Sequence, residues 1–241
     1  MEKIVVIGDV HGLRTWEQVV EKHPDCKYVF LGDYNDPYGH MITDDEVLDN
    51  FRRLIDFKLA HMEDVVLLLG NHDMHYVDVE LAPLCTRFNF HLSFDLMMLF
   101  DEYRHCFQYA YQIGYLLFTH AGVSEDWFTE AFRSDNREDI AAQLNHCTGL
   151  QEETLHHCGV RRGGKHAYGG ICWADKTELV RPLEGYVQLT GHNKVQNIEE
   201  WNGKNESKVL FCDSLHNGNY LVVESLPDAS FAFLPVTIEG A

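Results

Sequence analysis

Basic residues are scarce in this sequence. There are 19 against 38 acidic ones, a formal charge of −19 with the histidines neutral. Such a chain repels a polyphosphate backbone at long range, which argues against non-specific nucleic-acid binding. No CxxC pair occurs, and the cysteines are odd in number: Cys26, Cys85, Cys106, Cys147, Cys158, Cys172 and Cys212. That argues against a secreted disulfide framework and for reduced thiols in a cytoplasmic protein. No apolar run is long enough to span a bilayer, so no membrane association is expected. Nor does a basic stretch lead into a long apolar one near Met1, so no signal peptide is expected. Internal repeats and low-complexity tracts are lacking as well.

What is present is an ordinary globular composition, 45% apolar and 24% charged over 241 residues. That length suits a single domain over residues 1–241 with sizeable excursions. Part of the acidic excess can sit in a metal site, because crowded carboxylates need cations to neutralise them.

Three short runs rich in β-branched residues come early: Lys3 to Ile7, Lys27 to Leu31 and Asp64 to Leu69. Continuous apolar runs of this length predict strands buried on both faces. Between them, Leu13 to Lys22 and Asp44 to His61 carry apolar residues at helical spacing, the second with Thr43 or Asp44 as N-cap. The order β-α-β-α-β predicts a parallel sheet with right-handed crossovers. The middle of the chain is less regular. Excursions at 74–107 and 124–170 are read as lid-like covers, the first with a helical stretch from Leu92 to Tyr103. Between them, Tyr109 to Thr119 reads as a hairpin at Gly114. The last third alternates short strands with turns, among them Asn202-Gly203 and Asn217-Gly218, both read as hairpin turns. An α/β half followed by antiparallel strands predicts two sheets face to face, flanked by helices.

Each early strand runs into a polar cluster: Gly8-Asp9-Val10-His11-Gly12, Gly32-Asp33-Tyr34-Asn35-Asp36 and Gly70-Asn71-His72-Asp73. Any one alone reads as a turn. Three on consecutive parallel strands converge on one sheet edge, where ligands bind. Asp9 and His11 alternate on an extended segment and can face one ion. Asp33 can bridge two ions, and Asn71 offers a neutral oxygen. His120 and His192 follow later strands, each beside a glycine. Hard oxygens mixed with imidazole suit Mn, Fe, Zn or Mg.

In this order the motifs resemble the calcineurin-like metallophosphoesterase superfamily, in particular its phosphoprotein phosphatases and their bacterial and phage relatives. The resemblance runs from Asp9 to His192 through Gly8–Gly12, Gly32–Gly39, Gly70–Asp73, His120–Gly122 and Gly191–His192. It implies an α/β (α+β) fold, a four-layer α/β/β/α sandwich of two mixed sheets flanked by helices. It also implies two divalent ions, manganese foremost in vitro, with iron and zinc as the other choices. Asp9, His11 and Asp33 would hold the first. Asp33, Asn71, His120 and His192 would hold the second. His72 would be the general acid, oriented by Asp36. One departure concerns substrate. The family motif continues with Arg-Gly after its second Asp, and that arginine grips phosphate; here the segment reads Asp36-Pro37-Tyr38-Gly39. Arg161 and Arg162 are the candidates to replace it, with Arg181 behind them. A second departure is Asp73 where phosphoprotein phosphatases have Glu.

The activity implied is hydrolysis of a phosphate ester by a metal-activated water, without a phosphoenzyme. The expected substrate is a phosphomonoester, a phosphoprotein of the serine/threonine type or a small molecule. The alternative is a nucleotide hydrolase acting on dinucleoside polyphosphates. A non-catalytic scaffold on the same fold is the reading from another class, and it would carry no stoichiometric metal.

Overall fold

The computed structural model describes residues 3–39, 42–84, 87–203 and 207–238, without the side chains of 82–84. Its first half follows the expected rhythm. Strand β1 (Lys3–Ile7), helix α1 (Thr15–Lys22), β2 (Lys27–Phe30), α2 (Asp44–Ala60) and β3 (Val65–Leu68) alternate, and the three strands pair in parallel. Helix α2 starts where its cap dictates. The Thr43 side chain accepts from the Glu46 N–H, and the Glu46 carboxylate accepts from the Thr43 N–H.

After α3 (Asn71–Val77) and α4 (Ser93–Glu102), β4 (Phe107–Gln108) extends this sheet in parallel beside β3. Strands β5 (Ala110–Ile113) and β6 (Leu116–Thr119) form the expected hairpin, and they open the second sheet. Helices α5 (Ile140–His146) and α6 (Leu150–Leu155) follow, then β7 (Val187–Thr190), β8 (Glu199–Asn202), β9 (Lys208–Phe211), β10 (Asn219–Ser225) and β11 (Phe231–Thr237). The first sheet has the order β11-β10-β1-β2-β3-β4 and the second β5-β6-β7-β9-β8. Both mix parallel and antiparallel pairs.

Alternation along β1 shows the layering. Ile4 and Val6 join Leu116, Phe118, Leu189 and Leu210 in the core between the sheets. Val5 and Ile7 face the other way, toward Trp16 and Val19 of α1 and Phe51, Leu54 and Ile55 of α2. Behind the second sheet, Leu117 packs in one cluster with Ile140 and Leu144 of α5. The arrangement is the four-layer sandwich that the sequence implied.

One turn was misread. Asn217-Gly218 joins no hairpin: Gly218, at φ 75°, ends a 3-10 turn over Leu215–Asn217 that carries the chain from the second sheet into the first. Asn202-Gly203 does begin the antiparallel β8–β9 connection, which continues through residues 204–206, outside those described. Cys26, Cys106, Cys147, Cys158, Cys172 and Cys212 are free thiols, while Cys85 lies outside the described residues. Among the described residues, no helix is long and apolar enough to cross a membrane.

Candidate metal centre and active site

The carboxyl ends of β1, β2, β3, β6 and β7 meet at one edge. Asp9, His11 and Asp33 bring one ligand atom each within 4.8 Å of one another, and so do Asp33, His120 and His192. Asp33 belongs to both groups. Asn71 closes the second: its Oδ1 lies 3.0 Å from His120 Nε2 and 2.8 Å from His192 Nδ1.

The backbone pays for this convergence. His11, Asp33, Asp36 and His192 all have positive φ, between 43° and 58°. Such a conformation costs a non-glycine residue roughly 1–3 kcal/mol, and it concentrates where function demands a particular aim. Asp9 and His11 therefore do not share an extended segment, as their spacing had suggested. A left-handed turn at His11 swings its ring back toward Asp9. Gly70 has no such freedom to give up, because a Cβ there would run into Asp33 Oδ1.

The hydrogen bonds set the imidazole tautomers. His120 Nδ1 donates to the Leu31 carbonyl at 2.7 Å, which leaves Nε2 aimed at the centre. His11 Nδ1 likewise donates to the Asn35 carbonyl at 2.8 Å. His11 Nε2 is buried and has no hydrogen-bond partner among the described residues. It stands 3.8 Å from both Asp9 Oδ2 and Asp33 Oδ2. That spacing is too long for hydrogen bonds but suits a cation at about 2.1 Å from each. In the second cluster it is His192 Nδ1 that faces Asn71 Oδ1, at 2.8 Å. The residues fit a divalent ion at each cluster.

Electrostatics point the same way. Burial alone would raise the Asp33 carboxyl, but His120, His72 and His11 outweigh it and hold it well below the usual range. Burial pushes the His11 imidazole down to about 4. Burial and neighbouring Asp213 push Asp9 well above its ordinary value. Burial, then Asp33, lift Asp213 to about 6. Carboxylates crowded in this way without cations hold protons that metal binding would displace.

His120 gives a pH test. Burial opposes its charge, but Asp33 and Asp9 prevail and raise it to about 9. Its folded pKa thus exceeds the unfolded one, about 6.5. Its contribution to stability is fully present below about pH 6.5 and is lost as pH rises through about 9. Metal-stripped protein should therefore unfold at lower denaturant at pH 9 than at pH 6.5, and His120→Gln should flatten that dependence. An unchanged slope in the variant would refute the assignment of charge to His120.

The candidate acid, His72, is the second residue of α3. Its Nδ1 donates to Asp36 Oδ2 at 2.9 Å. The same oxygen takes His75 Nε2 at 3.0 Å, and Asp36 Oδ1 accepts from the Tyr76 hydroxyl at 2.6 Å. Asp36, His72 and His75 also lie close enough together to hold a cation. Their ring nitrogens already donate to the carboxylate, so the group is better described as a hydrogen-bond hub. Burial works against the Asp36 charge, but those donors keep its pKa below the ordinary value. Asp73 has a different task. Its carboxylate accepts from the N–H groups of Asp33, Tyr34 and Gly70, tying the loop after β2 to the start of α3.

The arginines divide. Arg162 is held by Asp175, with Nε 3.0 Å from Oδ2, and its Nη2 donates to Asn193 Oδ1 at 2.5 Å. It lies near enough to His192 to depress that residue's pKa, after burial and His120. Arg161 is exposed, and Arg181 is paired with Asp126 on the surface. Sequence reasoning missed Arg87, whose Nη2 lies 3.1 Å from His72 Nε2. It missed His75 and Tyr76 too, although their spacing from His72 puts all three on one side of a helix.

The model of one protein family, calcineurin-like phosphoesterase, matches residues 2–211. No curated protein matches the chain. Among solved structures, a cold-active protein-tyrosine phosphatase of the psychrophile Shewanella sp. is similar at 17% identity and TM-score 0.59, covering 97% of this chain and 80% of that one. A protein serine/threonine phosphatase from Saccharomyces cerevisiae is similar at 20% identity and TM-score 0.55, covering 100% and 81%. At these identities the likeness is one of fold. The family match spans most of the chain, and with it the strand ends that gather the candidate ligands: the chain belongs to the calcineurin-like phosphoesterase family and is a phosphoric ester hydrolase.

Proposed function

We propose that this chain hydrolyses phosphate monoesters at a centre of two divalent cations. The observation that carries the reading is the pair of ligand clusters joined through Asp33. Asp9, His11 and Asp33 would hold one ion; Asp33, Asn71, His120 and His192 would hold the other. When bound, the ions supply Lewis-acid charge to the phosphate oxygens and lower the pKa of the attacking water. Oxygen and imidazole donors without thiolate suit manganese, iron or zinc, and manganese is the ion to add first.

The chain's own residues do the rest. His72 gives a proton from Nε2 to the departing oxygen, while its Nδ1–H stays on Asp36. The Asp36 carboxylate orients the ring and stabilises its charged form. His75 and Tyr76 hold that carboxylate in place. The Tyr76 hydroxyl also accepts the Asn89 N–H at 3.0 Å, which links the hub to the following loop.

A substrate panel tests the reading. Chelator-treated protein, with and without added Mn²⁺, would be offered an aryl monoester, an aryl diester, phosphopeptides and a dinucleoside polyphosphate. The structural neighbours are named for tyrosine and for serine/threonine phosphatases, so all three phosphoresidues belong among the peptides. The expected result is Mn²⁺-dependent phosphate release from monoesters, at least about tenfold faster than from the diester. A preference for the dinucleoside polyphosphate would shift the assignment to a nucleotide hydrolase. Protein that purifies without stoichiometric metal and stays inactive would support a scaffold instead.

A further inference from the structure

Where the family places its phosphate-binding arginine, this chain has Pro37 and Tyr38. Proline has no donor, yet Tyr38 does not leave the position without a cation. The guanidinium of Arg87 lies over its ring, 3.0 Å from the centroid. Lys194 Nζ is 5.1 Å from the same centroid. The ring packs edge-on against His11 at 4.4 Å and lies 6.2 Å from His72. Arg87 thus reaches from a distant loop to a point between the first ligand cluster and the candidate acid.

We propose that Arg87 grips the substrate phosphate in this chain, with Tyr38 as the positioning residue that fixes its guanidinium plane and Lys194 as a neighbouring cation. The inference rests on the phosphomonoesterase reading above and deepens it.

Three observations carry it. The first is place. A phosphate whose leaving oxygen meets His72 Nε2 puts its other oxygens within reach of a guanidinium 3.1 Å from that nitrogen. The second is hydrogen-bond chemistry. An arginine only donates, so in the present arrangement His72 Nε2 accepts from Arg87. For His72 to give a proton there, that contact must open. A phosphate oxygen is a charged acceptor and forms a stronger bond with guanidinium than a neutral imidazole does. Arrival of substrate would therefore draw Arg87 off His72 and onto the phosphate. The third is competition. Arg162 is neutralised by Asp175, and Arg161 is exposed. In a chain with twice as many acids as bases, a local cation at the site is needed to receive a dianion.

The test compares Arg87→Ala, Arg87→Lys and Arg162→Ala in manganese-loaded protein, with an aryl phosphate as substrate and inorganic phosphate as inhibitor. Arg87→Ala should keep the parent's metal content but raise KM and the phosphate inhibition constant about 10–100-fold. Added guanidinium ion should restore part of the loss, and Arg87→Lys should fall between. Tyr38→Ala should raise KM with metal content unchanged. Arg87→Ala with KM and inhibition constant within twofold of the parent would overturn the inference. So would a larger loss in Arg162→Ala. A parent inactive on every phosphate ester would instead refute the reaction assigned above. Calorimetric titration of parent and Arg87→Ala with inorganic phosphate reads the arginine independently of turnover.

Discussion

Replacing Asp33 by asparagine should empty both halves of the centre in one step. Asp33 Oδ2 lies 3.8 Å from His11 Nε2 and 3.4 Å from His120 Nε2, so this carboxylate is the member common to both clusters. Asparagine keeps the size and the left-handed backbone that position demands, because it tolerates positive φ about as well as aspartate does. The fold should therefore persist while the charge is lost. We expect metal content to fall below one ion per chain and turnover to drop by about 10³-fold or more, since metal-ion stabilisation of developing charge is worth several kcal/mol. His11→Ala and His192→Ala provide the contrast. Each touches one cluster and should lower the affinity of one ion while leaving the other. Metal analysis by atomic emission, beside circular dichroism to check folding, decides the matter. An Asp33→Asn protein that binds two ions and turns over within tenfold of the parent would refute the shared-ligand geometry.

Replacing His72 by alanine should have the opposite signature: metal kept, chemistry lost. The His72 backbone N–H donates to Asp33 Oδ1 at 2.8 Å, and alanine preserves that bond. The imidazole is not among the six candidate ligands, so metal content should not change. What disappears is the proton for the leaving oxygen, a contribution of about 10²–10⁴ in rate. The loss should appear in full on alkyl phosphates, whose alkoxide leaves poorly. It should shrink on aryl phosphates, whose phenolate needs less help. Equal losses on both would remove His72 from the role of acid. Asp36→Asn should give a milder form of the same pattern, because it alters the ring's orientation and charge but leaves the ring in place.

Much of this site was legible in the sequence, for a local reason. Gly32-Asp33 and Gly70-Asn71 sit directly after buried apolar runs, so strand prediction alone placed their side chains on one edge. His120 and His192 followed by the same rule. What escaped depended on conformation or on contacts between distant segments. The His11 turn is left-handed, and nothing in Asp-Val-His announces that. Asn71 opens a helix of only seven residues, too short for its apolar spacing to show; hence His75 and Tyr76 were not seen as companions of His72. Arg87 lies in a loop, with no periodicity to say where it reaches. At Asn217-Gly218 the residues do specify a bend, but a bend does not reveal which strands it joins.

The place of β1 between β2 and β10 has a consequence for biosynthesis. Asp9, His11, Asp33 and Asn71 all lie within or directly after the β-α-β-α-β unit, which leaves the ribosome before the rest of the sandwich. The strand that covers the free edge of β1, Asn219–Ser225, is made about 150 residues later, on the order of 10 s at ordinary elongation rates. During that interval the nascent chain carries an unpaired strand edge beside a half-built cluster of carboxylates. Unpaired edges recruit other chains. Asp9 at the end of β1 and Asp33 and Asp36 at the end of β2 set like charges where two such edges would meet, so the same acids that later call for cations also disfavour pairing between unfinished chains.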